Sequence, residues 1–395
     1  MKFEDMKLSR ELIENLKNQN ILTPTKIQEE VIPSILEGKD IIAQSETGSG
    51  KTLGFAVPLI EMIFPKDHIQ ALIIVPTREL AKQITEEFEK FSRFKHLKIL
   101  TVYGGSSINI QIKNLERTNI VVGTPGRILD LLERRELVLK QIKFLVLDEA
   151  DRMLDMGFID DIKKIMSQTP KYKQTMLFSA TLPSPIVNLA RNYQNNPKHV
   201  KLAAHVKHEL LTQFYYVVKQ NEKISLLYHL IKTDAVTSAI VFCKTKRTTD
   251  FVARELYKQR IQSKCLNGNM SQNKREETIN QFKEGKLHIL VATDVAARGL
   301  HIEDVSHIFN FDIPETVDTY THRIGRTARS GKTGKAIALV SEQDYDNFRR
   351  VQEHFSDKLK RLDLPIFEKI KIEFRPQFQK RRFSQNRSFH KRRYN

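Results

Sequence analysis

Short, unbroken apolar runs recur along this chain with amphipathic stretches between them, and few folds accept that alternation. The first series falls at residues 40–43, 71–75, 99–103, 120–122, 144–147 and 175–178. A continuous apolar run bounded by turn residues reads as a strand buried on both faces, the condition of a parallel sheet. Between two of these runs, Leu80, Ile84, Phe88 and Phe91 recur at helical spacing and make one apolar stripe. The pattern predicts an α/β open sheet with helices on both faces. A second series at residues 214–218, 239–242, 289–292, 307–310 and 336–340 predicts another such unit, with a hinge near 203–211. A length of 395 residues fits two domains.

Composition narrows the partner more than the fold. A formal net charge of +18 favours a polyanion, nucleic acid first and an anionic membrane surface second; a merely solvated basic surface has the same composition. Cys243 and Cys265 show no CxxC spacing, which argues against a zinc site or a disulfide framework. The N-terminus carries acids early and lacks a long apolar run, so no secretory signal is expected, and no segment is apolar enough to span a membrane. The expectation is a cytoplasmic protein. From Arg375 onward the chain has no acidic residue and little aliphatic content, which predicts a disordered basic tail. Its aromatics lie among arginines, an arrangement suited to phosphate contact and base stacking, although an idle solvated tail is also consistent.

The segment Ser45-Glu46-Thr47-Gly48-Ser49-Gly50-Lys51-Thr52 follows an apolar run and opens a helical stretch. Glycines there let backbone N–H groups surround phosphates, and the helix N-terminus adds a favourable field. Lys51 would reach the β- and γ-phosphates of ATP and Thr52 would hold Mg²⁺. The run at 144–147 delivers Asp148-Glu149-Ala150-Asp151 to a strand end, where open α/β sheets place ligands. Asp148 would hold the metal and Glu149 would orient the attacking water.

In this order, these residues resemble the DEAD-box family of RNA helicases, over about residues 3–342. Further matches are Pro24-Thr25-Lys26-Ile27-Gln28, Pro76-Thr77-Arg78-Glu79-Leu80, Gly104-Gly105, Thr124-Pro125-Gly126-Arg127 and Ser179-Ala180-Thr181. The second half adds Val241 to Thr245, Gln272 with Arg275, Ala292 to Gly299, and His322-Arg323-Ile324-Gly325-Arg326-Thr327-Ala328-Arg329. The resemblance implies two tandem RecA-like domains, at residues 1–205 and 212–362, with a basic tail over 363–395. It implies an RNA-stimulated ATPase that closes its two domains on ATP and RNA and separates base pairs locally.

The resemblance also assigns roles. Gln28 would read the adenine edge, Phe3 would stack on the base, and Lys26 and Asp294 would join the nucleotide contacts. Arg326 and Arg329 match arginine fingers, which contribute on the order of 10³–10⁵ in rate. Asp151, Ser179, Thr181 and His322 would couple hydrolysis to closure. RNA contacts map to Pro76, Thr77, Arg78, Gly105, Thr124, Gly126 and Arg127, then to Thr245, Gln272, Arg275, Thr293 and Gly299. Such groups hold phosphates and sugars rather than base edges, so sequence-independent binding is expected. Protein partners in ribosome assembly or RNA decay are further expectations.

Four positions depart from the family pattern. Asn20-Ile21 replaces Gly and an aromatic, Ser45 replaces a smaller residue, and His301 replaces an Asp that would meet the ribose. Ala328 replaces a Gly between the finger arginines, with little consequence expected if the backbone there is helical. Two competing readings stay open on sequence alone: a DNA translocase of the same build, and an ATP-gated RNA clamp that binds without turnover.

Overall fold

The computed structural model describes residues 1–45, 48–66, 68–202, 210–297, 302, 305–328 and 332–370. In the first half the strands are β1 Ile41–Gln44, β2 Ala71–Ile74, β3 Ile99–Val102, β4 Ile120–Gly123, β5 Phe144–Leu147, β6 Gln174–Ser179 and β7 Lys198–Lys201. They form one sheet in the order β3-β4-β2-β5-β6-β1-β7, with every pairing parallel. The second half contributes β8 Leu211–Val217, β9 Ala239–Phe242, β10 Ser263–Leu266, β11 Ile289–Ala292, β12 His307–Asn310, β13 Gly334–Val340 and β14 Leu359–Arg361. Their order is β10-β11-β9-β12-β13-β8-β14, again all parallel.

Alternate residues of each strand feed opposite faces, as a pleated strand requires. Ile73, Val122 and Val146 join Phe55, Ile84 and Phe88 on one face of the first sheet, whereas Leu72, Val121 and Leu145 join Ile128 and Ile162 on the other. Ile240, Leu290 and Ile308 face one side of the second sheet, and Val241, Val291 and Phe309 the other. Helices cover both faces of both sheets, so the central strands are apolar throughout. That is why they were legible as continuous runs.

Three strands have no counterpart among those runs: β7, β10 and β14. All three lie at sheet edges and each is partly exposed. An edge strand keeps polar residues such as Lys198, His199, Lys264 and Lys360, which breaks the run.

The two central triplets matter for function. Strands β5, β6 and β1 are neighbours, and they deliver Asp148–Asp151, Ser179–Thr181 and the loop after Gln44 to one sheet edge. Strands β11, β9 and β12 likewise bring Thr293 and Asp294, Lys244 and Thr245, and Asp312 together in the second half.

The tail expected from residue 363 begins with an anchored stretch. Phe367 packs on the second core near His229, Lys369 pairs with Glu222, and the Ile370 N–H donates to Ser225 Oγ. The basic segment from Arg375 lies outside the described residues, as do Glu46, Thr47, Gly299, His301 and Arg329.

Candidate active site

The phosphate loop is built by glycine and held from behind by the segment at residues 24–28. Gly48 and Gly50 have φ of +82° and +93°, left-handed values at which a side chain is strained. A Cβ on Gly50 would come 2.6 Å from Gln28 Nε2 and 2.9 Å from Thr25 Oγ1. Those groups instead hold the loop: Gln28 Nε2 donates to Gly50 O at 3.0 Å and Thr25 Oγ1 donates to Ser49 O at 2.8 Å. Gln28 Oε1 accepts from the Thr25 N–H, closing a capping box on the helix Lys26–Leu36. The carboxamide of Gln28 thus ties two segments together. Lys26 is exposed at the start of that helix.

Lys51 is 7% exposed and, among the described residues, donates one hydrogen bond, to Ser45 O at 2.8 Å. Its ammonium carries three donors, so two remain for phosphate oxygens. Thr52 follows at the half-buried first turn of the helix Lys51–Met62. The Ser45 hydroxyl pairs with Ser49 Oγ at 3.0 Å, so the larger residue is accommodated within the loop.

Asp148 and Glu149 differ sharply although they are adjacent. Burial pushes Asp148 up to about 7, with the Lys51 charge only partly offsetting it. A divalent cation would supply the charge this site lacks, and the Thr52 hydroxyl offers a second hard oxygen, so the two side chains fit Mg²⁺ as donors. Burial would also raise Glu149, but the Arg152 charge and hydrogen bond outweigh it, aided by Lys51 and Arg326, and hold it below the usual range. Glu149 is therefore an ionised acceptor. Its φ of +52° is a strained backbone conformation, of the kind that concentrates at active sites.

The Asp148–Asp151 and Ser179–Thr181 segments are bonded to each other. Ser179 Oγ accepts from the Asp151 N–H at 3.1 Å, and Asp151 Oδ2 accepts from the Thr181 N–H at 2.9 Å and the Thr181 hydroxyl at 3.1 Å. Ser179 is fully buried and its carbonyl accepts from the Ser45 N–H at 3.0 Å, which links the pair to the phosphate loop.

From the second half, His322, Arg323, Arg326 and Asp294 line a small pocket whose other wall includes Arg152. Arg323 is the anchor there. Its Nε and Nη2 donate to the two oxygens of Asp294, each at 2.7 Å, while Nη1 donates to Asn310 Oδ1 and Asp312 O. Asp294 consequently holds the helix Val317–Ile324, which leads to Arg326.

Among the described residues, the expected RNA contacts follow the C-terminal ends of strands in both sheets. Thr77 caps the helix Arg78–Ser92, with Pro76 just before it. The Arg78 guanidinium lies over Gly105, where a Cβ would come within 2.3 Å of it. Thr124 precedes the helix Pro125–Glu133, and Arg127 donates to Ser106 O and Gln111 Oε1. The space over Gly126 is open, so an incoming phosphate can approach the backbone there. Thr245 caps the helix Lys246–Lys258 and is exposed, whereas Thr293 is buried with its hydroxyl accepting from the Ala296 N–H. Gln272 and Arg275 face the first half, bonding Arg78 and Glu79.

Two expectations change. Phe3 is only 2% exposed and packs in the first core, so its ring has no free face for a base. Ala328 is not helical: its φ is +57°, the conformation for which the family's Gly is suited. Asn20, by contrast, takes φ +59°, which Asn tolerates better than most residues. Sequence reasoning had not assigned Thr25, Arg152, Arg323 or Asp312. The first three sit in or beside quoted motifs, but nothing in the sequence tells which neighbour is buried against the site.

Known proteins bear directly on this geometry. A family model described as DEAD/DEAH box helicase matches residues 25–189, and one described as helicase conserved C-terminal domain matches residues 222–331. The ATP-dependent RNA helicase CshA of Listeria monocytogenes is 46% identical over 355 residues, or 89% of this chain and 68% of that protein. The chain belongs to the DEAD-box family of ATP-dependent RNA helicases. The Bacillus subtilis DEAD-box helicase CshA is 43% identical over 89% of this chain and 72% of its own length.

Two solved structures resemble this helicase to different degrees. The DEAD box protein of Methanococcus jannaschii is 42% identical with a TM-score of 0.54, covering 92% of this chain and 99% of its own. Saccharomyces cerevisiae Dbp5 bound to RNA and ADP BeF3 is only 31% identical but has a TM-score of 0.82, with coverage of 92% and 95%. Shape and identity run in opposite directions. The relative placement of the two halves here is therefore nearer to that of the RNA- and nucleotide-bound yeast protein. This DEAD-box helicase is an ATP-driven, RNA-dependent enzyme, and among the described residues no helix is long and apolar enough to cross a membrane.

Proposed function

We propose that hydrolysis takes place in a composite site between residues 1–205 and 212–362, and that closure of these two domains on ATP and single-stranded RNA drives local strand separation. The observation that carries this reading is a small pocket shared by the two halves, in which Arg152, the partner of Glu149, meets His322, Arg323 and Arg326. Mg²⁺, held by Thr52 and Asp148, neutralises phosphate charge when bound. Lys51 places its two remaining N–H donors on phosphate oxygens, and Glu149 accepts a hydrogen from the attacking water and aligns it. Arg326, with Arg329, stabilises negative charge that grows on the transferring group.

RNA lies across Arg78, Gly105, Thr124, Gly126 and Arg127 and continues to Thr245 and Thr293, held by phosphate and sugar contacts. ATP and RNA supply put its work in the cytoplasm. Protein partners in ribosome assembly or RNA decay belong to the same proposal, since both processes handle structured RNA.

Glu149→Gln and Arg326→Ala separate the roles. The first keeps the phosphate and metal groups and should trap a long-lived ATP- and RNA-bound complex with turnover down at least about 10²-fold. The second should lose RNA-stimulated turnover by about 10³-fold or more while still binding nucleotide. Wild-type turnover in either variant would move that role to another residue.

A further inference from the structure

The two halves also meet on the RNA side, where Lys82 and Glu276, which no motif assigns, stand beside the motif residues Arg78, Glu79, Gln272 and Arg275. The helix Arg78–Ser92 presents Arg78, Glu79 and Lys82 on its first turns, and the helix Gln272–Lys283 answers with Gln272, Arg275 and Glu276. Lys82 Nζ donates to Glu276 Oε1 at 2.6 Å, and Glu276 also accepts from Gln272 Nε2 at 2.9 Å. Glu79 Oε1 lies 2.6 Å from Arg275 Nε, an ion pair whose N–H points off the oxygen, and both side chains are about 15% exposed. Lys82 lies three and four residues after Glu79 and Arg78, and Gln272 lies three and four before Arg275 and Glu276, so one face of each helix makes the contact.

What these residues touch on either side gives the contact its meaning. Lys82 Nζ lies 5.5 Å from the centre of the Tyr103 ring, and Tyr103 immediately precedes the Gly104-Gly105 turn. In the other direction, Arg275 Nη2 donates to Ala296 O at 2.9 Å, within the short helix Asp294–Ala297. Asp294 in turn holds Arg323 on the helix that leads to Arg326. A continuous line of packed and bonded groups thus joins the RNA-side turn of one domain to the arginine finger of the other.

We propose that Lys82 and Glu276, flanked by Glu79 and Arg275, are positioning residues that clasp the closed domains and couple RNA occupancy to seating of Arg326. The proposal rests on the RNA-dependent composite site described above. Without the clasp, RNA has less closed protein to select, so the RNA concentration needed for stimulation rises while the nucleotide site itself is untouched.

Charge reversal tests it. Steady-state ATP hydrolysis is measured against single-stranded oligonucleotide RNA for wild type, Lys82→Glu, Glu276→Lys and the double swap. Each single variant should raise the half-stimulating RNA concentration about fivefold or more, the lower range of site-to-site coupling. Hydrolysis without RNA should stay within about twofold of wild type. The double variant restores the pair with reversed polarity and should return to within about twofold. Unchanged RNA dependence in the single variants, or a double variant no better than either single, would overturn the clasp. Failure of RNA to stimulate wild type would instead overturn the composite-site reading beneath it.

Discussion

Asp151 receives Thr181 twice on one oxygen, from the backbone N–H at 2.9 Å and from the hydroxyl at 3.1 Å, while its own N–H donates to Ser179 Oγ. The segment Asp148–Asp151 after one strand is thereby bonded to the loop after the neighbouring strand. Thr181→Val removes the hydroxyl bond and keeps the shape. A side-chain hydrogen bond of this type contributes about 0.5–1.5 kcal/mol. RNA strand displacement per ATP hydrolysed should fall several-fold, about the factor that energy represents. Hydrolysis in the absence of RNA should change less than displacement does. Parallel phosphate-release and duplex-displacement assays check this; equal loss in both would deny a coupling role.

Ala328 should be an easy position to improve. With φ at +57° its methyl group is in the left-handed region, and alanine there is less stable than glycine by more than the chain entropy glycine loses. Ala328→Gly should stabilise the protein by about 1 kcal/mol. Urea unfolding would show a higher midpoint with an unchanged slope.

The buried Lys223 is a structural ion, not a catalytic one. Its ammonium donates to Asp344 Oδ2 at 2.6 Å and Phe311 O at 2.7 Å, with no exposure to solvent. Lys223→Met leaves Asp344 buried without its partner and should cost about 3–5 kcal/mol. Burial would raise Asp344, but Lys223 and Ser341 outweigh it and hold its carboxyl below the ordinary value. The folded protein therefore binds this proton less readily than the unfolded chain. Stability from the pair is present above the unfolded value and is lost as pH falls through the folded one. Acid denaturation from about pH 5 downward should show a steeper loss for wild type than for Lys223→Met.

Asp148 carries the opposite sign. Burial raises it to about 7, so without nucleotide and metal the folded protein holds a proton that the unfolded chain has released. Stability of that form falls as pH rises from about 4 to about 7, because the folded state binds more protons. Asp148→Asn should abolish hydrolysis yet raise the melting temperature of the nucleotide-free protein at pH 8. The gain should shrink toward pH 5. A variant less stable at pH 8 would mean the carboxylate is already compensated.

What the sequence disclosed followed burial. Central strands such as β2 and β5 are apolar on every residue and stood out, whereas β7, β10 and β14 kept polar positions at sheet edges and did not. The placement of Lys51, Asp148 and Glu149 beyond strand ends was legible because each follows an apolar run in a recognisable order. Arg323 and Arg152 were not, since a side chain's burial against Asp294 or Glu149 depends on contacts between distant segments. Ala328 was misjudged because backbone sign at one residue leaves no periodic trace. Phe3 was misjudged because an isolated aromatic reads alike as a core residue or a stacking platform.

The most direct test of an RNA-driven composite site is steady-state ATP hydrolysis with no nucleic acid, with single-stranded RNA and with DNA of matched sequence, for wild type and Arg326→Ala. The account predicts strong stimulation of wild type by RNA, little by DNA, and loss of stimulation when Arg326 is removed. Equal stimulation by DNA, or an Arg326→Ala enzyme that responds to RNA as wild type does, would contradict it.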